Sequence, residues 1–518
     1  MTSSPAASTA SNDAGLDRGV LMVASVVVLG AIMSILDVTV VNVAINTLAR
    51  DFHTSLSTIQ WVATGYTLAL ATVIPLTGWA ADRFGTKRLY MLSIAMFMTG
   101  SALSGLAWSA GSLIAFRVLQ GLGGGMIMPA GMTILTRAAG QQRVGRVMAI
   151  IGVPMLLGPI IGPILGGWLV EDFSWRWIFF INLPIGVAAL TASFRILPRD
   201  VAAHEHRLDW TGLFLLSPGL AALIYGLART NAVGGFGHPQ VLVPVLVGIA
   251  MLALFVRHSL RTHDALIDVR LFANKVFAAS SGTLILVIIA VFGGMLLLPL
   301  YLQVVRGESP LTTGLLTAPQ GLGAMIAMPI AGRLTDKTGV GRIVPVGLTL
   351  VAAAFVLLTQ LSADTSYVLF GVTVFIMGLG MGSAMMPTFS AAMQTLRTSQ
   401  IAKASTTLNI NQQTGASIGT AVMSVLLAHQ LASHLSGTAA GGGGGIGATI
   451  PAGVREKVAP LMADAFGATF WWAFALVIVA LVVAIVLLPK QKPEPIPEDD
   501  EQGGESPDAA EAPQLVMH

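Results

Sequence analysis

Fourteen apolar stretches run through the chain, and they leave it few folds to adopt. Read between charged or turn-rich breaks, they lie near 20–45, 57–80, 88–107, 110–136, 144–170, 176–197, 208–228, 240–257, 277–303, 312–333, 343–361, 366–390, 403–429 and 467–488. About 20 apolar residues of helix cross the hydrocarbon core of a bilayer, and within that core a helix satisfies its own backbone groups. Composition agrees: 54 % of the 518 residues are hydrophobic and 10 % charged, where a soluble domain carries roughly 25 % charged residues. We therefore expect an all-α polytopic membrane protein with fourteen transmembrane helices, numbered here as spans 1 to 14. The first stretch is too long for the core of a signal peptide and contains Asp37, so it is expected to remain as span 1 behind a tail of residues 1–19.

Charge placement orients the bundle. With a cytoplasmic N-terminus, the inner loops and tails hold 21 of the 28 Lys and Arg, the outer loops hold six, and Arg117 falls inside span 4. Cations concentrate on the cytoplasmic side, which places both termini there. All nine Trp fall within a few residues of a span end, where membrane interfaces collect them; Trp175-Arg-Trp177 with Asn182-Leu-Pro184 reads as one such anchor. Arg outnumbers Lys 21 to 7, which points to a GC-rich genome and a bacterial inner (plasma) membrane. The tail at 489–518 carries eight acids and six Pro and cannot bury a core. The outer loop 430–466 contains the run Gly441 to Gly445 and reads as a flexible linker.

Several chemistries are excluded. The absence of cysteine removes disulfides, thiolate metal sites and a cysteine nucleophile. No G-x-x-x-x-G-K-[ST] cradle for a phosphate occurs, so the energy source is expected to be something other than ATP. His204-Glu205-His206 reads as a solvated turn and the 23 Met as core filler. We expect no cofactor, metal, enzymatic activity or nucleic-acid partner.

The chain repeats itself. Gly78-Trp-Ala-Ala-Asp82-Arg83-Phe-Gly85-Thr-Lys-Arg88 follows span 2, and Gly332-Arg-Leu-Thr-Asp336-Lys337-Thr-Gly339-Val-Gly-Arg342 follows span 10, at an offset of 254 residues. Gly121, Gly123 and Gly125 of span 4 recur as Gly378, Gly380 and Gly382 of span 12 at offset 257. Two six-helix pseudo-repeats are therefore expected, at 20–197 and 276–488. A helix pair (208–228, 240–257) and its linker, within 198–275, are inserted between them. Six plus two is even, so both copies lie in one orientation, as in parallel-repeat secondary transporters with the substrate site between the repeats.

These loops resemble the signature set of the major facilitator superfamily, together with three further patterns: Arg117-Val-Leu-Gln120-Gly121; Gly152…Gly158-Pro159…Gly162-Pro163…Gly166-Gly167 in span 5; and Leu36-Asp37-Val-Thr39-Val-Val-Asn42 in span 1. They are similar in particular to its fourteen-helix drug:proton antiporter branch, over roughly residues 20–488. The resemblance implies proton-coupled export by alternating access. In the family, spans 1 and 4 share a bundle and the span 5 pattern marks exporters.

Asp37 and Arg117 stand out physically, because a charge well inside a span costs at least about 2.5–3.5 kcal/mol. By rise per residue both lie roughly 10–12 Å from the outer end. We read Asp37 as the protonation site and Arg117 as its tuner: burial favours the neutral carboxyl and a nearby cation the carboxylate. The alternative is a static ion pair that only helps the bundle pack. The second half has no counterpart, since the positions near Gly294 and Val374 are apolar.

The repeated loops read as an inner gate of Gly78, Asp82, Arg83, Gly85 and Arg88 with Gly332, Asp336, Lys337, Gly339 and Arg342. Each acid can face the positive N-terminus of a helix beginning on the same side; by the family pattern these are span 13 for Asp82 and span 5 for Asp336. The alternative is topogenic charge alone. Gly158, Gly162 and Gly166, four residues apart, let another backbone approach, and the prolines favour a bend that suits a helix at the interface between the halves. Asn42, Tyr66, Gln120, Gln320, Asn409, Asn411, Gln412 and Gln413 are candidate cavity-lining groups, which could equally bond to neighbouring helices. The expected function is export of an amphipathic small molecule in exchange for protons across the bilayer, by a chain acting as a monomer. Rival readings are a dedicated exporter of a native metabolite or lipid, and a non-transporting receptor or scaffold.

Overall fold

The structure is a computed structural model that describes residues 17–139, 158, 161–162, 164–198, 207–233, 235–262, 265–397, 400–435 and 452–490. Among these, every regular element is a helix. Eleven helices are long and apolar enough to cross a membrane, or twelve if the bent pair Trp61–Val73 and Leu76–Phe84 is one span. Fourteen spans are compatible with this architecture. Span 3 is the twenty-residue helix Thr86–Gly105, whose Ser, Thr and Gly residues dilute its apolar character, and much of span 5 lies outside the described residues.

Helix ends depart from the expected bounds where packing overrides hydropathy. Span 2 is bent by 56° between Val73 and Leu76, at Pro75, which has no N–H to donate and crowds the preceding turn. Span 1 runs from Arg18 to Asp51, span 13 from Ile401 to His434 and span 14 from Ala452 to Leu487. The loop expected at 430–466 is thus helical at both ends. Its charges, Asp464 among them, mask a buried stripe of Val458, Ala459, Met462, Ala463 and Phe466 that holds the helix.

The repeat is a repeat of backbone contacts. A Cβ at Gly121 would sit 2.5 Å from the Tyr66 carbonyl oxygen, at Gly123 2.5 Å from Phe97 N, and at Gly125 2.6 Å from the Leu70 carbonyl oxygen. In the second half Gly378 abuts the Gln320 carbonyl, while a Cβ would lie 2.7 Å from Val351 N at Gly380 and 2.7 Å from the Ala324 carbonyl oxygen at Gly382. Each partner is offset by 254 residues from its counterpart. The loops match as well: Gly85 and Gly339 both have φ 88°, a left-handed conformation that favours glycine. Their N–H groups donate to Ala81 and Thr335, each at 3.0 Å.

The halves share one hydrophobic interior at the end bearing these loops, where Ala80, Ala81 and Leu135 join Met386, Phe389 and Ala402. Each half also keeps a cluster of its own among the described residues, Val40, Ala44 and Phe179 at the opposite end of the first and one that runs the length of the second, from Val340 and Leu488 to Leu298 and Phe370. The two bundles therefore share their apolar packing at the motif-loop end.

Candidate functional site

Asp37 and Arg117 face each other across spans 1 and 4, with Arg117 Nη1 donating to Asp37 Oδ2 at 2.5 Å and both side chains no more than 1 % exposed. The carboxylate is closed in on its other oxygen too: Gln120 Nε2 donates to Oδ1 at 2.8 Å and Asn182 Nδ2 at 3.1 Å. Arg117 and Gln120 are three residues apart, hence on one helix face, and Arg117 Nη1 also donates to Gln120 Oε1 at 2.7 Å. Arg117 Nε reaches the Val62 carbonyl at 3.3 Å. The guanidinium stacks over the Tyr66 ring, 4.1 Å from its centroid, with Phe179 at 5.8 Å. A buried charge needs a partner and satisfied hydrogen bonds; this cluster supplies both for the two ions.

Asn182 belongs to this cluster and not to an interfacial anchor. It opens the helix Asn182–Ile196 just beyond the short helix Trp177–Phe180, and its amide also donates to Ser101 Oγ at 3.1 Å. Trp175 is buried as well, donating from Nε1 to Asp51 at 2.7 Å, which leaves Trp177 as the exposed member of the motif.

At the motif-loop end, Gly78 admits the start of span 13: a Cβ there would lie 3.4 Å from Thr406 Oγ1 and 3.6 Å from Lys403 Cα. Asp82 shares a small cavity with Trp79 and Lys403 and pairs with Arg137, on span 4, at 3.6 Å, a partner absent from the sequence reading. Arg83 and Arg88 are exposed. Lys87 caps the end of span 6, donating to the Phe194 and Leu197 carbonyls at 2.9 and 2.6 Å. In the second loop Gly332 is buried and Lys337 and Arg342 are exposed; the side chain of Asp336 lies outside the described residues. Gly341 N donates to the Pro489 carbonyl at 3.0 Å, so the end of span 14 is seated on this loop.

A family model described as Major Facilitator Superfamily matches residues 27–420. The chain belongs to that superfamily. It is 50 % identical over 416 residues to Multidrug resistance protein B homolog of Mycobacterium tuberculosis, covering 80 % of this chain and 77 % of that one. It is 31 % identical over 402 residues to Multidrug export protein EmrB of Escherichia coli, covering 77 % and 78 %. Among solved structures the fold is similar to the human organic anion transporter MFSD10 (TETRAN), with a TM-score of 0.60 at 16 % identity, covering 89 % of this chain and all of that one.

In this superfamily member Gly158, Gly162 and Gly166 of span 5 close on span 1. Gly158 and Gly162 abut Ile35 and Thr39, a Cβ at Gly166 would lie 3.2 Å from Val40 Cα, and Thr39 Oγ1 donates to the Gly158 carbonyl at 3.3 Å. These contacts flank Asp37, so span 5 fixes the backbone on either side of the carboxylate. Gly167 touches nothing within 4 Å; Gly152, Pro159 and Pro163 lie outside the described residues.

The expected cavity-lining residues divide. Tyr66 and Gln120 are buried in the Asp37 cluster, and Gln320, the repeat counterpart of Tyr66, is buried with its amide on Met381 Sδ at 3.2 Å. Asn409 donates to its own helix at Ser405 O, 2.9 Å away, and Asn411 to Ser281 Oγ at 2.5 Å. These two remain half-buried along span 13 with Gln412 and Gln413. The side chain of Asn42 is not among the described ones.

Proposed function

We propose that the protein is a proton-coupled secondary exporter of amphipathic organic compounds, embedded in a bacterial plasma membrane with both termini in the cytoplasm. The observation that carries this reading is the buried Asp37 cluster. It is a single carboxylate with a counter-charge and two amide donors, placed in one half only, in a chain whose relatives include proteins named for multidrug resistance and multidrug export.

The geometry supports a way for the proton to come and go. Gln120 offers the carboxylate an N–H and offers Arg117 an oxygen, and rotation of that amide presents an acceptor to a protonated Asp37. Arg117 then keeps the Val62 carbonyl and the Tyr66 ring. In the proposed orientation the motif-loop end, where the two bundles pack together, is cytoplasmic, and Asp37 is fully buried in this state, so proton exchange requires the cluster to open. A proton-motive force of about 150 mV is worth roughly 3.5 kcal/mol per proton, enough for a cargo gradient of several hundredfold at one proton per molecule.

The test is a screen of amphipathic compounds by proton-flux quenching in inverted vesicles. At least one compound is expected to drive proton movement that vanishes in Asp37→Asn; flux with an unchanged pH dependence in that variant would sink the assignment.

A further inference from the structure

Spans 7 and 8 belong to neither repeat, and span 7 lies across the seam between the two bundles. Leu223 and Leu227 of span 7 pack with Ala421 of span 13, and Tyr225 stacks on Trp61 at the head of span 2, centroids 5.9 Å apart and planes at 26°. Between the three helices is a half-open cavity of about 190 Å³ whose walls include Thr64 and Thr67 of span 2, Ile224 and Ala228 of span 7, and Ser417 and Thr420 of span 13. A dry cavity of about 150 Å³ holds benzene, so this one has room for one aromatic ring or a short alkyl segment.

We propose that this cavity is a lateral port for the apolar, donor-bearing part of the exporter's cargo, with the inserted helix pair as its hinged cover. The proposal rests on the exporter reading above. Among the described residues no charged side chain lines the cavity. The hydroxyls of Thr67, Ser417 and Thr420 donate to carbonyls of their own helices at 3.0, 2.9 and 3.0 Å. They therefore present oxygen lone pairs, which suit an uncharged ring carrying N–H or O–H donors. Span 2 alone separates the cavity from the proton site: Thr64 and Thr67 line the cavity, while Tyr66 between them lies on Arg117.

The pair is built to move as one piece about its motif-loop end. Spans 7 and 8 touch backbone to backbone, since a Cβ at Gly226 would lie 3.0 Å from Val245 N and one at Gly248 2.7 Å from Leu223 N. Span 8 turns Val243, Leu246, Val247 and Ile249 outward. At the motif-loop end Asp209 ties the pair down: it accepts from Gly212 N at 2.8 Å and Leu266 N at 3.3 Å and hydrogen-bonds His258 Nε2 at 2.8 Å. Ser259 Oγ donates to the Ile267 carbonyl at 2.7 Å. Ala265 and Leu266 of this tie wall the cavity that holds Asp82 and Lys403, so the hinge sits on the gate. Toward the other end the cover meets span 2 and span 13 through side chains such as Tyr225 and Leu227.

The ligand assignment is tested by binding of a bisbenzimide dye, an amphipathic ring system with N–H donors, to the full chain in nanodiscs, read by fluorescence polarisation. Ala228→Trp, at an exposed position, fills the cavity and is expected to weaken binding at least tenfold; Thr64→Val keeps the shape, removes an acceptor and weakens it severalfold. Unchanged affinity in both, or no binding to the parent chain, overturns the port. The chain has no native cysteine, so Thr64→Cys/Ala228→Cys can be joined by a short bis-methanethiosulfonate, which bridges the two thiols through reducible disulfides. The join is expected to stop dye extraction from inverted vesicles until a reductant is added, and extraction at the uncrosslinked rate overturns the hinged cover. Tight binding in a parent chain without dye-driven proton flux removes the exporter reading and leaves the binding result standing.

Discussion

Neutralising the two partners of the buried pair one at a time distinguishes a proton carrier from a static ion pair. Arg117→Met leaves an Asp37 carboxylate with two amide donors, at 2.8 and 3.1 Å, and no counter-charge; breaking a buried pair in this way costs about 3–5 kcal/mol. Asp37→Asn is different, because it imitates the neutral carboxyl that a carrier must populate in every cycle. With the Gln120 amide turned to the neutral side chain, Arg117 retains the Val62 carbonyl at 3.3 Å and the Tyr66 ring at 4.1 Å. A desolvated cation–π contact contributes up to about 2 kcal/mol and each hydrogen bond to a charged group about 1.5–3, so the cost of Asp37→Asn falls to about 1–2 kcal/mol. Unfolding in mixed detergent and dodecyl sulfate micelles, followed by circular dichroism, should place Arg117→Met about 1–4 kcal/mol below Asp37→Asn. Asp37→Asn/Arg117→Met, with both charges gone, should return close to the parent, and none of the three variants should couple protons to export. Equal losses in the two single variants would mean that neither ion tolerates a neutral partner, which is a static pair and refutes the carrier argument.

Two further predictions concern the gate and the repeat. Asp82→Asn removes a partly exposed charge beside the start of span 13, a change of about 0.3–1 kcal/mol, so closure of the motif-loop end should weaken roughly two- to fivefold; Asp336→Asn should act in the same direction. A cysteine placed at Ala402, 1 % exposed here, should then be labelled faster in inverted vesicles, and unchanged or slower labelling in both would reduce the loops to topogenic charge. Gly123→Ala and Gly380→Ala each press a methyl group onto neighbouring backbone and should lower stability by about 1–3 kcal/mol, whereas Gly167→Ala, with nothing within 4 Å, should stay within about 0.5 kcal/mol. Equal effects at all three would dissociate these glycines from the packing argument.

Which parts of this architecture can be read from sequence follows from how each is encoded. Apolar length and repeated glycines are local signals, so the spans and the duplicated unit are legible, while the ends of spans 13 and 14 are not, because buried side chains extend those helices past their apolar cores. Asp37 and Arg117 are legible as charges that a membrane does not tolerate without cause. Their neutral companions are not, because a polar residue in an apolar helix has the same spacing whether it lines a cavity or bonds to a neighbour. Tyr66 and Gln120 turned inward and Gln412 did not. Asn182 is hidden for another reason: a helical break after Phe180 aims it at Asp37, and no linear pattern states where a broken span points. Arg137 likewise sits among inner-end cations until folding brings Asp82 to 3.6 Å.

The two halves also separate scaffold from chemistry. Tyr66 and Gln320 occupy equivalent positions, and each lends its carbonyl to a span 4 or span 12 glycine, yet one ring covers a guanidinium and the other side chain meets a methionine. The positions near Gly294 and Val374, where Asp37 and Arg117 would repeat, are apolar, with Val374 fully buried and a Cβ at Gly294 lying 2.7 Å from Phe355. A backbone contact requires only that a side chain be absent, so it survives duplication while the side chains around it diverge. An ion pair requires both partners and the donors that satisfy them, and among the described residues that set is built once, in the half where span 5 clamps span 1 on either side of the carboxylate.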